Sequence, residues 1–149
     1  MDYNFVAILI VVLILILYYK YKNRHEANSR SIIKLIDKGP VFVDFYAPWC
    51  QYCKDLKPEF DKLISKGVDG VEIKYFSAIT QTPPPSVQIS SFPTIVLFYK
   101  GLPIQYNGER KADHMEAWIK HVILTIDAAE LNRQNAQKAQ ATAQTANTK

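Results

Sequence analysis

The sequence predicts an α/β domain in which helices flank a central sheet of four to five strands, preceded by one apolar helix. Two segments predict the sheet. Val41–Tyr46 and Thr94–Tyr99 consist almost entirely of β-branched, aromatic or other apolar residues, as strands inside a sheet require. A third segment, Phe5–Tyr19, is uninterruptedly apolar and predicts the preceding helix.

The other elements of the domain follow from apolar spacing and from turn residues. Three consecutive prolines within Gln81–Ser86 predict a loop. Two further strands are predicted, Val71–Phe76 and Ile104–Tyr106. Three helices are predicted: one from Ser29 or Ser31 to Asp37, one from Cys50 to about Ser65 with Pro58 inside it, and a last one capped by Asp113. Their predicted inward residues are Ile32, Ile33, Leu35 and Ile36 in the first helix, Leu56, Phe60, Leu63 and Ile64 in the second, and Met115, Trp118, Ile119, Val122, Ile123 and Ile126 in the last.

The apolar N-terminal segment is interpreted as a single-pass membrane anchor over residues 1–21. Tyr3 to Tyr21 would extend roughly 28 Å as a helix, close to the ~30 Å of a bilayer core. A cleaved signal peptide would need a basic start and small residues at the cleavage site, whereas here Asp2 precedes the run and tyrosines follow it. A buried core helix would show a polar face, which this segment lacks.

Charge predicts the orientation of that anchor. Lys20, Lys22, Arg24 and Arg30 all follow the apolar run, so the positive-inside rule places the C-terminal domain on the cytoplasmic side.

Composition suggests four parts: the anchor over residues 1–21, a polar tether over 22–28, the folded domain over 29–131, and a tail over 132–149. The tail is almost entirely Ala, Gln, Asn and Thr, and we expect it to be disordered because it has no large apolar side chain to bury. The net charge of +4 and pI near 9.0 are mild. The sequence contains no basic patch with interleaved aromatic residues, so it does not predict nucleic-acid binding.

The chemistry of the chain is concentrated in its two cysteines, Cys50 and Cys53. They follow the first buried strand and are spaced one helical turn apart, so both lie on one face of the next helix. The unpaired N–H groups at a helix start favour a thiolate at Cys50 over a thiol. Cys50 is therefore the candidate nucleophile for thiol–disulfide exchange, and Cys53 the thiol that resolves the mixed disulfide.

The same cysteine spacing occurs in two other kinds of site. A C-x-x-C pair is half of many zinc sites, but the chain has no further cysteine, and His25, His114 and His121 are far from the pair in sequence. A structural disulfide across so short a loop would add little stability. We therefore predict no metal and no cofactor other than a redox-active Cys50–Cys53 disulfide.

The stretch around the cysteines, Val43-Asp-Phe-Tyr-Ala-Pro-Trp-Cys-x-x-Cys-Lys54, resembles the thioredoxin superfamily and in particular its protein disulfide isomerase branch. The resemblance continues to Pro58 inside the helix, to Ser91-Phe-Pro-Thr94 before a strand, and to Tyr106-Asn-Gly-Glu-Arg110. It covers roughly Ser31 to Ile126. It implies a thioredoxin fold with a mixed sheet and protein substrates that carry disulfides or dithiols.

The resemblance also implies roles for individual residues. Asp44 would be the buried proton acceptor for Cys53, with Lys74 as a neighbour of its carboxylate. Pro93, in the cis form, would pack beside the dithiol, and the Phe92 backbone would pair with an extended substrate. The exposed rim that contacts the substrate would consist of Trp49, Gln51 and Tyr52.

The chain departs from the family at Gln51-Tyr52, where thioredoxins have Gly-Pro and isomerases Gly-His. This dipeptide tunes the reduction potential, so the direction of electron flow stays open. The isomerase resemblance also implies an oxidising lumen as the alternative to the cytoplasmic side.

The functional prediction is a membrane-anchored, monomeric thiol–disulfide oxidoreductase that reduces, forms or isomerises protein disulfides. The alternatives are a thioredoxin-fold adaptor at a membrane with a vestigial dithiol, and an iron–sulfur cluster shared by two copies through Cys50.

Overall fold

The computed structural model describes the backbone of residues 3–146 and the side chains of residues 8–20, 32–142 and 144. The elements of this part of the chain alternate between helices and strands. In chain order they are α1 (Tyr3–Ile36), β1 (Val41–Tyr46), α2 (Gln51–Lys66), β2 (Glu72–Ser77), β3 (Thr94–Tyr99), β4 (Leu102–Tyr106) and α3 (Ala112–Ala146).

The four strands form one mixed sheet in the order β2-β1-β3-β4. β1 runs parallel to β2 and antiparallel to β3, and β3 and β4 form an antiparallel hairpin. β1 and β3 are therefore the central strands, which is why their sequences are almost continuously apolar. The predicted mixed sheet is confirmed with four strands in the described part of the chain.

The side chains of β1 alternate between two faces of the sheet. Phe42 belongs to the face covered by α2 and α3, where it packs among Leu56, Phe60, Met115 and Ile119. We call this the α2/α3 face. The opposite face, which we call the α1 face, is covered by the end of α1, and its buried residues are Ile32, Val41, Val43, Phe45, Phe76, Val96 and Phe98.

Helix α2 begins directly after Cys50, which is its N-cap residue, and carries Pro58 inside it. Its inward stripe is Cys53, Leu56, Phe60 and Leu63, all buried, as the helical spacing predicts. Ile64 was expected in that stripe but is 39% exposed, because it lies one position past Leu63 and turns away from the sheet. The helix ends at Gly67, whose φ of 69° is readily adopted only by glycine.

Helix α1 runs without interruption from Tyr3 to Ile36, through the stretch predicted as a tether. The separate helix expected from Ser29 or Ser31 is therefore the last part of a longer one. Ile32 is buried and Leu35 and Ile36 are partly buried against the sheet, whereas Ile33 is 40% exposed.

The predicted membrane anchor over residues 1–21 finds no support here. Within the residues described, none of the helices has a segment of sufficient length and apolar character to cross a bilayer. The first two residues of the predicted anchor lie outside the described residues.

Helix α3 differs from its prediction at both ends. Its first N–H is capped from α2, since the Ala112 N–H donates to Glu59 Oε2 at 2.8 Å, whereas Asp113, the predicted cap, lies in the first turn. The helix continues to Ala146, through the stretch predicted to be disordered. Alanine and glutamine have high helix propensity, which explains the continuation without any buried face. The four-part division of the chain stays a prediction.

Candidate active site

Cys50 lies at the point where the sheet meets the start of α2. Its side chain is 6% exposed. Its sulfur accepts a hydrogen bond from the Cys53 N–H at 3.2 Å, and its thiol hydrogen points at the carbonyl oxygen of Phe92, 3.4 Å away. The backbone N–H at the third position of a helix, together with the helix dipole, stabilises negative charge on this sulfur.

Cys53 lies one turn further along α2 and is also a free, buried thiol. Burial raises the pKa of Cys53 well above its ordinary value, and its hydrogen bond with Cys50 and the nearby Asp44 charge raise it further. The two thiols are thus held in different environments. Cys53 stays protonated at neutral pH and needs an acceptor for its proton before it can act as a nucleophile.

Asp44 lies in the middle of β1 and is 1% exposed. Neither carboxylate oxygen has a hydrogen-bond partner among the described residues. Burial raises the pKa of Asp44 to about 7, and the positive charge of Arg110 partly opposes this rise. A carboxyl group with a pKa near neutrality can both accept and release a proton at physiological pH.

A cavity of about 290 Å³ lies between Asp44 and Cys53. The sequence predicted Lys74 beside the Asp44 carboxylate, and this prediction was wrong: Lys74 forms an exposed ion pair with Glu72 at 2.8 Å. The neighbouring residue of β2, Tyr75, is instead the register partner of Asp44, because successive strand residues face opposite sides. The cavity is lined by Asp44, Tyr46, Ala47, Pro48, Cys53, Lys54, Lys57 and Tyr75.

The loop before β3 packs against the two cysteines. The Phe92–Pro93 peptide bond is cis. Phe92 packs with Ala47 and both cysteines, and its carbonyl oxygen faces Cys50. Trp49 stands edge-on to the Phe92 ring, with ring centroids 5.7 Å apart.

The rim of the site is aromatic and exposed. Trp49 and Tyr52 are 69% and 68% exposed, respectively. Gln51 is tied along the helix, since its Nε2 donates to Asp55 Oδ1 at 2.9 Å. Apart from Lys74, the residues that the sequence singled out therefore lie at this end of the sheet; they are Asp44, Trp49, Cys50, Gln51, Tyr52, Cys53, Phe92 and Pro93. Their roles stay predictions.

The sequence did not single out Arg110, Lys57 or Tyr75 as parts of this site. Arg110 is more than fifty residues from the dithiol in sequence, and no local pattern connects it to Asp44. Lys57 could have been found, because it lies four residues after Cys53 on the same helix face. Tyr75 could have been found from the alternation of β2 once its register with β1 was known.

The pattern of the thioredoxin family matches residues 21–121. The matched range contains the whole sheet, α2 and the first part of α3. This chain belongs to the thioredoxin family.

The curated relatives lie in the protein disulfide isomerase branch. The chain is 35% identical over 102 residues to protein disulfide-isomerase 5-2 of Arabidopsis thaliana, which covers 66% of this chain and 23% of that protein. It is 33% identical over 118 residues to protein disulfide-isomerase of Aspergillus oryzae, covering 75% of this chain and 22% of that protein. The chain thus spans less than a quarter of the length of these two relatives.

Solved structures agree with this placement. The first thioredoxin domain of mouse protein disulfide-isomerase A4 is 28% identical, with a TM-score of 0.55 over 64% of this chain and 71% of that one. The Trx4 domain of ERdj5 is also 28% identical, with a TM-score of 0.51 over 59% of this chain and 82% of that one. The likeness therefore lies at the level of one thioredoxin domain.

Proposed function

We propose that this chain is a thiol–disulfide oxidoreductase that acts on protein disulfides. The observation that supports it most strongly is the pairing of two unlike thiols with a buried carboxyl group. Cys50 has a backbone N–H donor on its sulfur, and Cys53 shares a cavity with Asp44. The isomerase relatives support the same reaction class.

The first step of the proposed reaction is attack by the Cys50 thiolate on one sulfur of a substrate disulfide. A Cys50–substrate disulfide forms, the substrate S–S bond breaks, and the departing substrate sulfur leaves as a thiolate that takes a proton from solvent. The side chains of Trp49 and Tyr52, which are 69% and 68% exposed, lie on either side of Cys50 in the chain. We propose that they contact the substrate, and that the Phe92 backbone beside Pro93 pairs with it.

The second step is resolution by Cys53. Its proton passes to the Asp44 carboxylate, its thiolate attacks Cys50 Sγ, and the second substrate sulfur leaves as a thiolate that takes a proton from solvent. The chain ends with a Cys50–Cys53 disulfide and the substrate with two thiols, so two electrons have moved from chain to substrate. Run in reverse, the same steps place a disulfide in a substrate dithiol. An external dithiol or disulfide restores the starting state.

The two cysteines offer a matched pair of variants for the test. With the full chain, insulin and glutathione, we expect Cys50→Ser to abolish disulfide reduction, because no nucleophile remains at the helix start. Cys53→Ser should instead accumulate a mixed disulfide with the substrate through Cys50, since resolution fails. The trapped species is measured by mass spectrometry, and thermal melts check that both variants fold.

Retained turnover in Cys50→Ser would contradict the proposed function. So would a wild-type chain that binds reduced and oxidised substrate equally and never exchanges disulfides, which is the behaviour of an adaptor. A coloured purified protein with bound iron would point to the cluster alternative instead.

We also propose that α1 attaches the domain to a membrane. Its side chains from Ile8 to Leu17 are all apolar and 45–60% exposed, and two tyrosines and Lys20 follow them, a composition typical of the lipid interface. The predicted cytoplasmic orientation belongs to this proposal.

Flotation of the full chain with phospholipid vesicles tests the attachment. We expect co-flotation, and its loss in Leu13→Glu, because a charge within the apolar run opposes burial in lipid. A wild-type chain that stays with the soluble fraction would contradict the attachment without affecting the oxidoreductase proposal. Protease access to the domain in sealed vesicles then reports its side.

A further inference from the structure

The proposed reaction leaves Asp44 with a proton that must be released once per turnover. Among the described residues no polar group hydrogen-bonds to its carboxylate, so the proton has no direct protein partner to move to. The cavity shared with Cys53 is the open space beside it. Release of the proton therefore depends on the side chains that line this cavity.

Two residues that line the cavity, Lys57 of α2 and Tyr75 of β2, both bind the carboxylate of Asp61, one helical turn after Lys57. The Tyr75 hydroxyl donates to Asp61 Oδ1 at 2.9 Å and lies 3.3 Å from the Lys57 carbonyl oxygen. Lys57 Nζ binds Asp61 Oδ2 at 2.7 Å and lies 5.1 Å from the centre of the Tyr75 ring. We call these three residues the cavity cluster.

The cavity cluster connects the buried carboxylate to solvent. Tyr75 is the register partner of Asp44, and its ring packs on Phe60 and Tyr46 at centroid distances of 4.8 and 5.8 Å. Its hydroxyl reaches the half-exposed carboxylate of Asp61. One side chain thus spans the distance from the cavity wall to a surface anion.

Other charged and titratable groups also face Asp44. From α2 these are Cys53 and the two lysines of the cavity lining, and from the loop before α3 it is Arg110. From the sheet they are Tyr46 and Tyr75. Tyr75 and Lys57 both hydrogen-bond to the surface carboxylate of Asp61, and Tyr75 is the one of the two that lies beside Asp44 in the sheet.

We propose that Tyr75, held in place by Lys57 and Asp61, is a positioning residue that keeps the cavity polar and open for proton exchange between Asp44 and solvent. This inference rests on the proposed function, because it concerns the resolution step. Tyr75 forms no bond with the substrate. Its side chain keeps a polar group in the cavity beside the carboxylate that accepts the Cys53 proton, and its hydroxyl gives that proton a polar route to solvent.

The molecule contains a second cluster of the same three residue types, which serves as a matched control. The Tyr99 hydroxyl donates to Asp127 Oδ1 at 2.7 Å, and Lys100 Nζ binds the same carboxylate at 2.7 Å and lies 5.4 Å from the Tyr99 ring centre. This cluster joins β3 to α3 and does not line the cavity beside Asp44. Tyr99→Phe therefore removes an equivalent hydrogen bond away from the site.

The test compares Tyr75→Phe with Tyr99→Phe in the full chain, using a symmetric aromatic disulfide whose thiol is coloured. The reduced protein releases the first coloured thiol when Cys50 attacks, and the second when Cys53 resolves the mixed disulfide. Both phases are followed by stopped flow across the neutral pH range. Thermal melts confirm that both variants are folded.

We expect Tyr75→Phe to slow the second phase about fivefold near neutral pH, the factor that one net hydrogen bond corresponds to. The pH midpoint of that phase should rise, because a less polar cavity disfavours the ionised carboxylate. Added imidazole should restore part of the rate by carrying the proton. The first phase should stay unchanged, and Tyr99→Phe should match wild type in both phases. Lys57→Met should shift the second phase in the same direction.

A second phase with the same rate and pH midpoint in Tyr75→Phe and Tyr99→Phe would overturn this inference while the proposed function stands. An equal slowing at every pH, without rescue by imidazole, would also overturn it, because that result indicates a purely structural role. If wild type releases no coloured thiol in either phase, the proposed function itself fails.

Discussion

The two faces of strand β1 differ in what they bury. On the α1 face, Val41, Val43 and Phe45 pack in a cluster of buried apolar side chains. On the α2/α3 face, Phe42 is followed by Asp44, a buried carboxyl group without a hydrogen-bond partner among the described residues. Burying such a group is unfavourable. The difference shows that one face of the strand serves stability, whereas the other retains a destabilising group beside the dithiol.

The largest change in stability should come from a substitution on the α1 face. Phe45 is fully buried and contacts the rings of Phe76 and Phe98, at centroid distances of 5.1 and 6.3 Å. We expect Phe45→Ala to lower the free energy of unfolding by about 3–5 kcal/mol, through lost burial and the cavity that remains. Urea denaturation measures the loss.

The rate of disulfide exchange per folded molecule should stay near wild type in Phe45→Ala, because the substituted side chain points away from the cysteines. A loss below about 1 kcal/mol would show that the α1 face can collapse around the gap. The α1 face would then not be the face of β1 on which the stability of the fold depends.

A smaller loss of stability, dependent on pH, is expected from the other face. Because burial raises the pKa of Asp44 to about 7 from an ordinary 3.8, the folded chain holds a proton that the unfolded chain has released. The stability this proton contributes is complete at low pH and is lost as pH rises through 7. Between about pH 5 and pH 8 the loss should be about 2–3 kcal/mol.

Asp44→Asn removes this titration and should flatten the pH dependence of stability, while also slowing the resolution of mixed disulfides. Urea denaturation of both proteins at the two pH values measures the difference. If the free energy of unfolding depends on pH in the same way in wild type and Asp44→Asn, the buried carboxyl group does not lower stability. The two faces of β1 would then differ only in which side chains they bury.

The sequence predicted the elements that carry a local pattern. The apolar runs of β1 and β3, the inward stripe of α2 and the order of the elements follow from side-chain periodicity, which depends on near neighbours. Lys74 was misassigned because a strand pattern shows that side chains alternate but does not show which face meets the carboxylate. The cap of α3 by Glu59 was missed for a similar reason, since donor and acceptor are 53 residues apart.

By itself the sequence determined the two thiols at a helix start, the buried strand that carries Asp44, and the cis proline position that the family resemblance implied. These depend on short-range spacing and on residue type. Only the tertiary structure decided that Tyr75 is the register partner of Asp44, that Tyr75 and Lys57 both bind Asp61, and that Arg110 opposes the effect of burial on the Asp44 carboxyl group. Those relations arise from strand register and helix packing, which bring together residues that no local pattern connects.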